Sequence, residues 1–106
     1  MKKNELYMIY GRNYMEMTEK LLAEADLAGM IGDRRKRIGI KPNLVSPSPA
    51  SAGGTTHLEV VEGLIRYLQR HGFDNLAVME GSWVGDRTEE AFEVCGYREL
   101  ASRCGV

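Results

Sequence analysis

The sequence predicts an α/β fold: a small parallel sheet of about three strands with helices on its faces, a three-layer, Rossmann-like fragment. Three observations predict it. Short apolar runs stand at Leu6–Tyr10, Ile38–Lys41 and Asn75–Met79, each closed by a glycine or proline within two residues. Each run is followed by a stretch whose apolar residues recur at helical spacing. Glycines stand where those helices should stop, at Gly29, Gly32, Gly72 and Gly96. Strand and helix alternating three times is the signature of parallel strands joined by crossovers.

In order along the chain, Leu6 to Tyr10 reads as a first strand stopped by Gly11. From Asn13 the period changes: Tyr14, Met17, Leu21, Ala25 and Ala28 share one helical face, and Gly29 and Gly32 end the helix. Asp33 to Arg37 is a charged turn. Its basic residues could touch phosphate, but the reading favoured here is a solvated turn. The second strand ends at Lys41, because Pro42 has no N–H to give a central ladder. A Ser/Pro/Ala loop, Ser46–Ala52, leads to Gly53 and Gly54.

Thr56 to Glu59 matches a capping box, in which the Thr56 hydroxyl takes the Glu59 amide. Val61, Leu64, Ile65 and Leu68 then form one buried stripe, and Gly72 supplies a left-handed stop. Asn75–Met79 is the third strand, and Gly81 to Arg87 a loop carrying Trp83. A second capping pattern at Asp86–Glu89 opens a short helix with Ala91, Phe92 and Cys95 on its apolar side. One or two further helical turns follow between Tyr97 and Cys104.

With 106 residues, the chain suits one α/β domain over 1–106, or the N-terminal part of a longer one. Its 43% hydrophobic and 27% charged composition is that of a soluble globular protein. A net charge of -1 gives no general pull toward nucleic acid or membrane. No apolar run reaches the roughly 20 residues of a spanning helix, and the N-terminus has no signal-peptide pattern. Cys95 and Cys104 lack Cys-x-x-Cys spacing, so reduced thiols and a cytoplasmic location are expected. A sheet this thin leaves two open edges. Either a second copy or a partner chain pairs there, as in a non-catalytic interaction or oligomerisation module, or the chain is the front part of a larger fold.

Ligands of open α/β sheets bind outside the carboxyl ends of the strands. That rule gathers Gly11, Arg12 and Asn13, then Lys41 and Asn43, Gly53 to His57, and Glu80 to Trp83. The set suits a small phosphate- or carboxylate-bearing ligand. Lys41 supplies countercharge; Gly53, Gly54, Thr55 and Thr56 supply amides and hydroxyls at a helix start. Asn43 and Glu80 flank the strand ends, and Trp83 could stack on a ring or simply cover the sheet end. His57 is the candidate proton carrier, although a lone histidine at a helix start is also a common surface residue. The plain alternative is that the glycines turn the chain, Thr56 only caps and Lys41 pairs with Glu80. Neither Gly-x-x-x-x-Gly-Lys-Ser/Thr nor Gly-x-Gly-x-x-Gly is present. His57, Glu80 and Asp86 are too few to predict a metal site.

Several motifs stand together: Lys41-Pro42-Asn43-Leu44-Val45, then Thr55-Thr56-His57 before Glu59-Val60-Val61-Glu62-Gly63-Leu64-Ile65, then Glu80-Gly81. Ala91-Phe92-Glu93 with Gly96-Tyr97, Glu99-Leu100-Ala101 and Gly105-Val106 complete the set. As a set they resemble the uncharacterised bacterial and archaeal family catalogued as domain of unknown function 362, from about Arg37 to Val106. Met1 to Lys36 match it in layout only. Many members of that family are longer and carry a ferredoxin-like cysteine segment. This sequence has no such segment, so no iron–sulfur cluster is expected in it.

Overall fold

The computed structural model describes residues 4–42, 56–79 and 96–106. The Ser46–Ala52 loop, the Trp83 loop and the short helix expected around Ala91, Phe92 and Cys95 lie outside them. In chain order the elements are α1 (Tyr14–Ala25), α2 (Leu27–Ile31), β1 (Ile38–Ile40), α3 (Leu58–Arg70), β2 (Leu76–Val78) and α4 (Tyr97–Cys104).

β1 and β2 pair in parallel, with Ile38 opposite Leu76, Gly39 opposite Ala77 and Ile40 opposite Val78. Because side chains alternate across a strand, Ile38, Ile40, Leu76 and Val78 share one face. All four belong to the core or pack against it. That face meets α3, whose Val61, Ile65 and Leu68 are buried as the periodicity predicts. Leu64 is only half-buried. Phe73, Ile65, Leu68 and Leu100 form the driest part of the core.

α3 ends as its glycine predicts. Gly72 has φ +88, its N–H donates to the Gln69 carbonyl at 3.1 Å, and the Phe73 N–H donates to the Leu68 carbonyl at 3.0 Å. This 6→1 and 5→2 pair is a Schellman stop, with apolar Phe73 and Leu68 at its two ends.

The start of α3 differs from the expected capping box. His57 is the N-cap, and its side chain makes no cap hydrogen bond. The helix opens one residue later than the Thr56 pattern implies, so the hydroxyl at position 56 no longer sits at the capping station.

Three expectations for the N-terminal third are corrected. Leu6–Tyr10 is not a strand: residues 5–10 carry no ladder pairing. The alternation that suggested a strand survives as alternating exposure, with Leu6, Met8 and Tyr10 at 82%, 65% and 86% and Tyr7 and Ile9 half-buried. Tyr7, Met8 and Ile9 line an open groove with Lys20, Leu21, Ala23 and Glu24, so the segment lies beside α1 and not in the sheet.

The helix from Asn13 is also not continuous. Asp26 takes the left-handed conformation (φ 54, ψ 50), ends α1 and begins α2. Its carboxylate accepts the Gly29 N–H at 3.2 Å, a local bond that short acidic side chains offer in competition with the helix.

Finally, the packed face of α1 is not the expected Tyr14, Met17, Leu21 and Ala25 stripe, and α1 has no buried residue at all. It is Met15 and Thr18 that cross α3 at Gly63, where an added Cβ would lie 2.8 Å from the Met15 carbonyl oxygen. Glu19 on the same side approaches Arg70 at 2.9 Å. The buried carboxylate oxygen is charge-compensated without a well-directed hydrogen bond. Ala28 is buried as expected, and its N–H donates to the buried Tyr67 hydroxyl at 3.0 Å.

Every residue of the charged turn is exposed. Arg35 pairs with Asp33 at 3.2 Å, and its hydrogen bonds hold the Asp33 carboxyl below its ordinary range. Arg34 behaves differently. Its guanidinium donates to the carbonyls of His71 (2.8 Å), Ala28 (3.2 Å) and Gly32 (2.6 Å) and lies 4.7 Å from the Phe73 ring centre. One cation thus caps the carbonyl ends of α2 and α3, where the helix dipoles are negative. Among the described residues the sheet has two strands, and α1 and α3 cross each other.

Candidate functional site

Parallel strands joined through α3 require that helix to run back against them. The start of α3 therefore lies at the carboxyl ends of β1 and β2. Two other helices begin beside it. The Tyr14 ring, at the first position of α1, lies 4.6 Å from the His57 ring at a 47° tilt. Gly96, the N-cap of α4, has φ +79, and a Cβ there would sit 3.3 Å from Leu58 Cδ2. The buried Tyr97 donates its hydroxyl to the Thr56 carbonyl at 3.2 Å. α4 then continues alongside α3: Arg103 meets Glu62 at 2.7 Å, and Gln69 donates to the Cys104 carbonyl at 2.8 Å.

Three helix N-termini therefore converge on one edge. Their capping differs. Asn13 accepts the Glu16 N–H at 3.0 Å and so satisfies α1 with a side chain. His57 and Gly96 give no side-chain cap to α3 and α4. The first-turn amides of α3 thus present the positive end of a helix dipole beside a second one.

The structure brings together only part of the expected set. Lys41 follows β1 directly and is exposed, while Thr56 and His57 are half-buried at the start of α3. Gly11, Arg12 and Asn13 lead into α1 at the same edge. Asn43, Gly53, Gly54, Thr55, Glu80 and Trp83 lie outside the described residues. Among the described residues no three His, Cys, Asp or Glu side chains gather as a metal site, and no helix is long and apolar enough to cross a membrane.

Two residues of this edge escaped the sequence reading. The helical periodicity puts Tyr14 in a core stripe, yet its place directly after the Asn13 cap already puts it at the helix start. Tyr97 reads in the sequence as part of a helical turn. Nothing local in the sequence announces that its hydroxyl fastens the segment before α3, 41 residues earlier.

A family model described as domain of unknown function (DUF362) matches residues 38–106, the greater part of the chain. No curated protein and no solved structure matches.

Proposed function

The chain belongs to that family, and we propose that it binds a small phosphate- or carboxylate-bearing anion at the carboxyl edge of its sheet. The observation that carries the reading is the convergence of the α3 and α4 N-termini, joined by Tyr97 and the Thr56 carbonyl and lacking side-chain caps. Oriented amides and helix dipoles favour negative charge there without a dedicated side-chain donor. Lys41 adds countercharge from the end of β1, and the Thr56 hydroxyl adds a donor. His57, packed against Tyr14, is held at the same edge as a proton carrier for whatever the anion is attached to.

Thermal unfolding in a phosphate or sulfate series tests this reading. A ligand of the folded state raises the melting temperature along a saturating curve. Excluded-ion effects grow without saturation, and chloride at matched ionic strength controls for screening. Loss of the saturable part in Lys41→Ala places that lysine in the site. Absence of any saturable part in the wild type would end the simple-anion reading.

A further inference from the structure

The two halves of a strand pairing are both present in this chain and are not joined to each other. One half is the outer side of β1. Ile38 donates its N–H to the Asn75 carbonyl at 2.9 Å, and Ile40 accepts from the Met79 N–H at 2.8 Å. In a parallel ladder the residue between them turns its N–H and C=O the other way. Gly39 is exposed, and among the described residues no strand pairs on that side. The other half is the segment before α1. Its exposure alternates residue by residue, as in a strand, and Leu6, Met8 and Tyr10 face outward.

We propose that the outer edge of β1 takes residues 6–10 of a second copy of this chain, giving a dimer built by reciprocal strand addition. The segment lies beside its own α1, where Tyr7, Met8 and Ile9 line an open groove, and Leu6, Met8 and Tyr10 are left exposed to another molecule. Charge selects the register. With the strand parallel to β1, Glu5 stands beside the exposed Arg37, which puts Leu6 beside Ile38 and Met8 beside Ile40. The outward apolar residues then lie flush with the core-facing residues of β1, and Tyr7 falls opposite Gly39, on the face that the Met79 side chain covers. A one-residue slip would lose both the charge pair and the shared face.

Sedimentation velocity of the full chain over a micromolar concentration series tests the proposal. A concentration-dependent dimer is expected, and the double variant Leu6→Glu, Met8→Glu is expected to be monomeric with unchanged helical circular dichroism. Both residues are exposed, so the protomer should tolerate them. Single-cysteine variants Glu5→Cys and Arg37→Cys, each made with Cys95→Ser and Cys104→Ser, are then mixed and oxidised. Adjacent strands lie about 4.8 Å apart, within disulfide reach, so a cross-linked heterodimer is expected. A wild-type chain that stays monomeric, or a dimer that survives the double variant, would overturn the proposal. So would a chain carrying both cysteines that closes an internal disulfide as a monomer, since its segment would then be pairing with its own β1.

Discussion

The ring of Tyr14 rests 4.6 Å from the ring of His57, tying the first residue of α1 to the N-cap of α3. This contact makes the candidate site a property of two helices and not of one loop. Tilted aromatic pairs are worth about 0.5–1.5 kcal/mol beyond their buried area. In a double-mutant cycle of Tyr14→Ala and His57→Ala, denaturant unfolding should give a coupling in that range. Strict additivity would show that the rings are merely adjacent.

Gly63 decides how closely α1 and α3 approach. Alanine is the better helix former by roughly 0.8–1 kcal/mol, so an isolated helix would gain from Gly63→Ala. Here the new methyl would meet the Met15 carbonyl oxygen at 2.8 Å and Thr18 Cβ at 2.9 Å. The backbone oxygen cannot swing aside as a side-chain tip can. The expected result is destabilisation by about 1–3 kcal/mol in chemical denaturation; a stabilised variant would mean the helices are further apart.

Arg34 should matter more than its exposure in a charged turn suggests. Arg34→Ala leaves the three carbonyls it caps without that donor and removes the cation over Phe73. A loss of about 2 kcal/mol is expected, in the range of hydrogen bonds to charged groups. Arg34→Lys should recover only part of it, because an ammonium cannot reproduce the planar fork. Arg35→Ala, beside it on the surface, should cost much less.

Within α3, Leu68→Ala should cost about 2–5 kcal/mol because the side chain is fully buried. Leu64→Ala should cost less, since Leu64 is half-buried. Equal losses at the two positions would contradict the face of α3 described above.

Much of this architecture is legible from residues alone where local and tertiary preferences agree. Val61, Ile65 and Leu68 show their periodicity openly, and Gly72 marks its own stop. The paired strands around Ile38–Ile40 and Leu76–Val78 are continuous apolar runs. Legibility fails where a tertiary contact overrides the local pattern. Leu6–Tyr10 alternates like a strand but lies beside α1. Asp26 breaks a helix that its neighbours would continue, through a bond to Gly29. The packed side of α1 carries Met15, Thr18 and Leu22 and meets α3 at Gly63, but Met17 and Leu21 form a second apolar side that competes with it in the sequence. At the site, the edge of the sheet and the places of Lys41, Thr56 and His57 follow from element order. The Tyr14 and Tyr97 contacts do not, because each joins residues about forty positions apart.

The proposed anion would sit on the first-turn amides of α3. Amide nitrogen–proton NMR of the labelled chain, titrated with inorganic phosphate against chloride at matched ionic strength, reads those groups one by one. Saturable shifts are expected at Leu58 and Glu59. Smaller ones are expected at Val60, whose N–H already donates to the His57 carbonyl at 3.1 Å, and at Tyr97 and Arg98 at the start of α4, while Glu16, capped by Asn13, stays nearly still. Shifts that never saturate, or that fall chiefly on the exposed Arg35 and Arg37 while α3 stays unchanged, would contradict that placement.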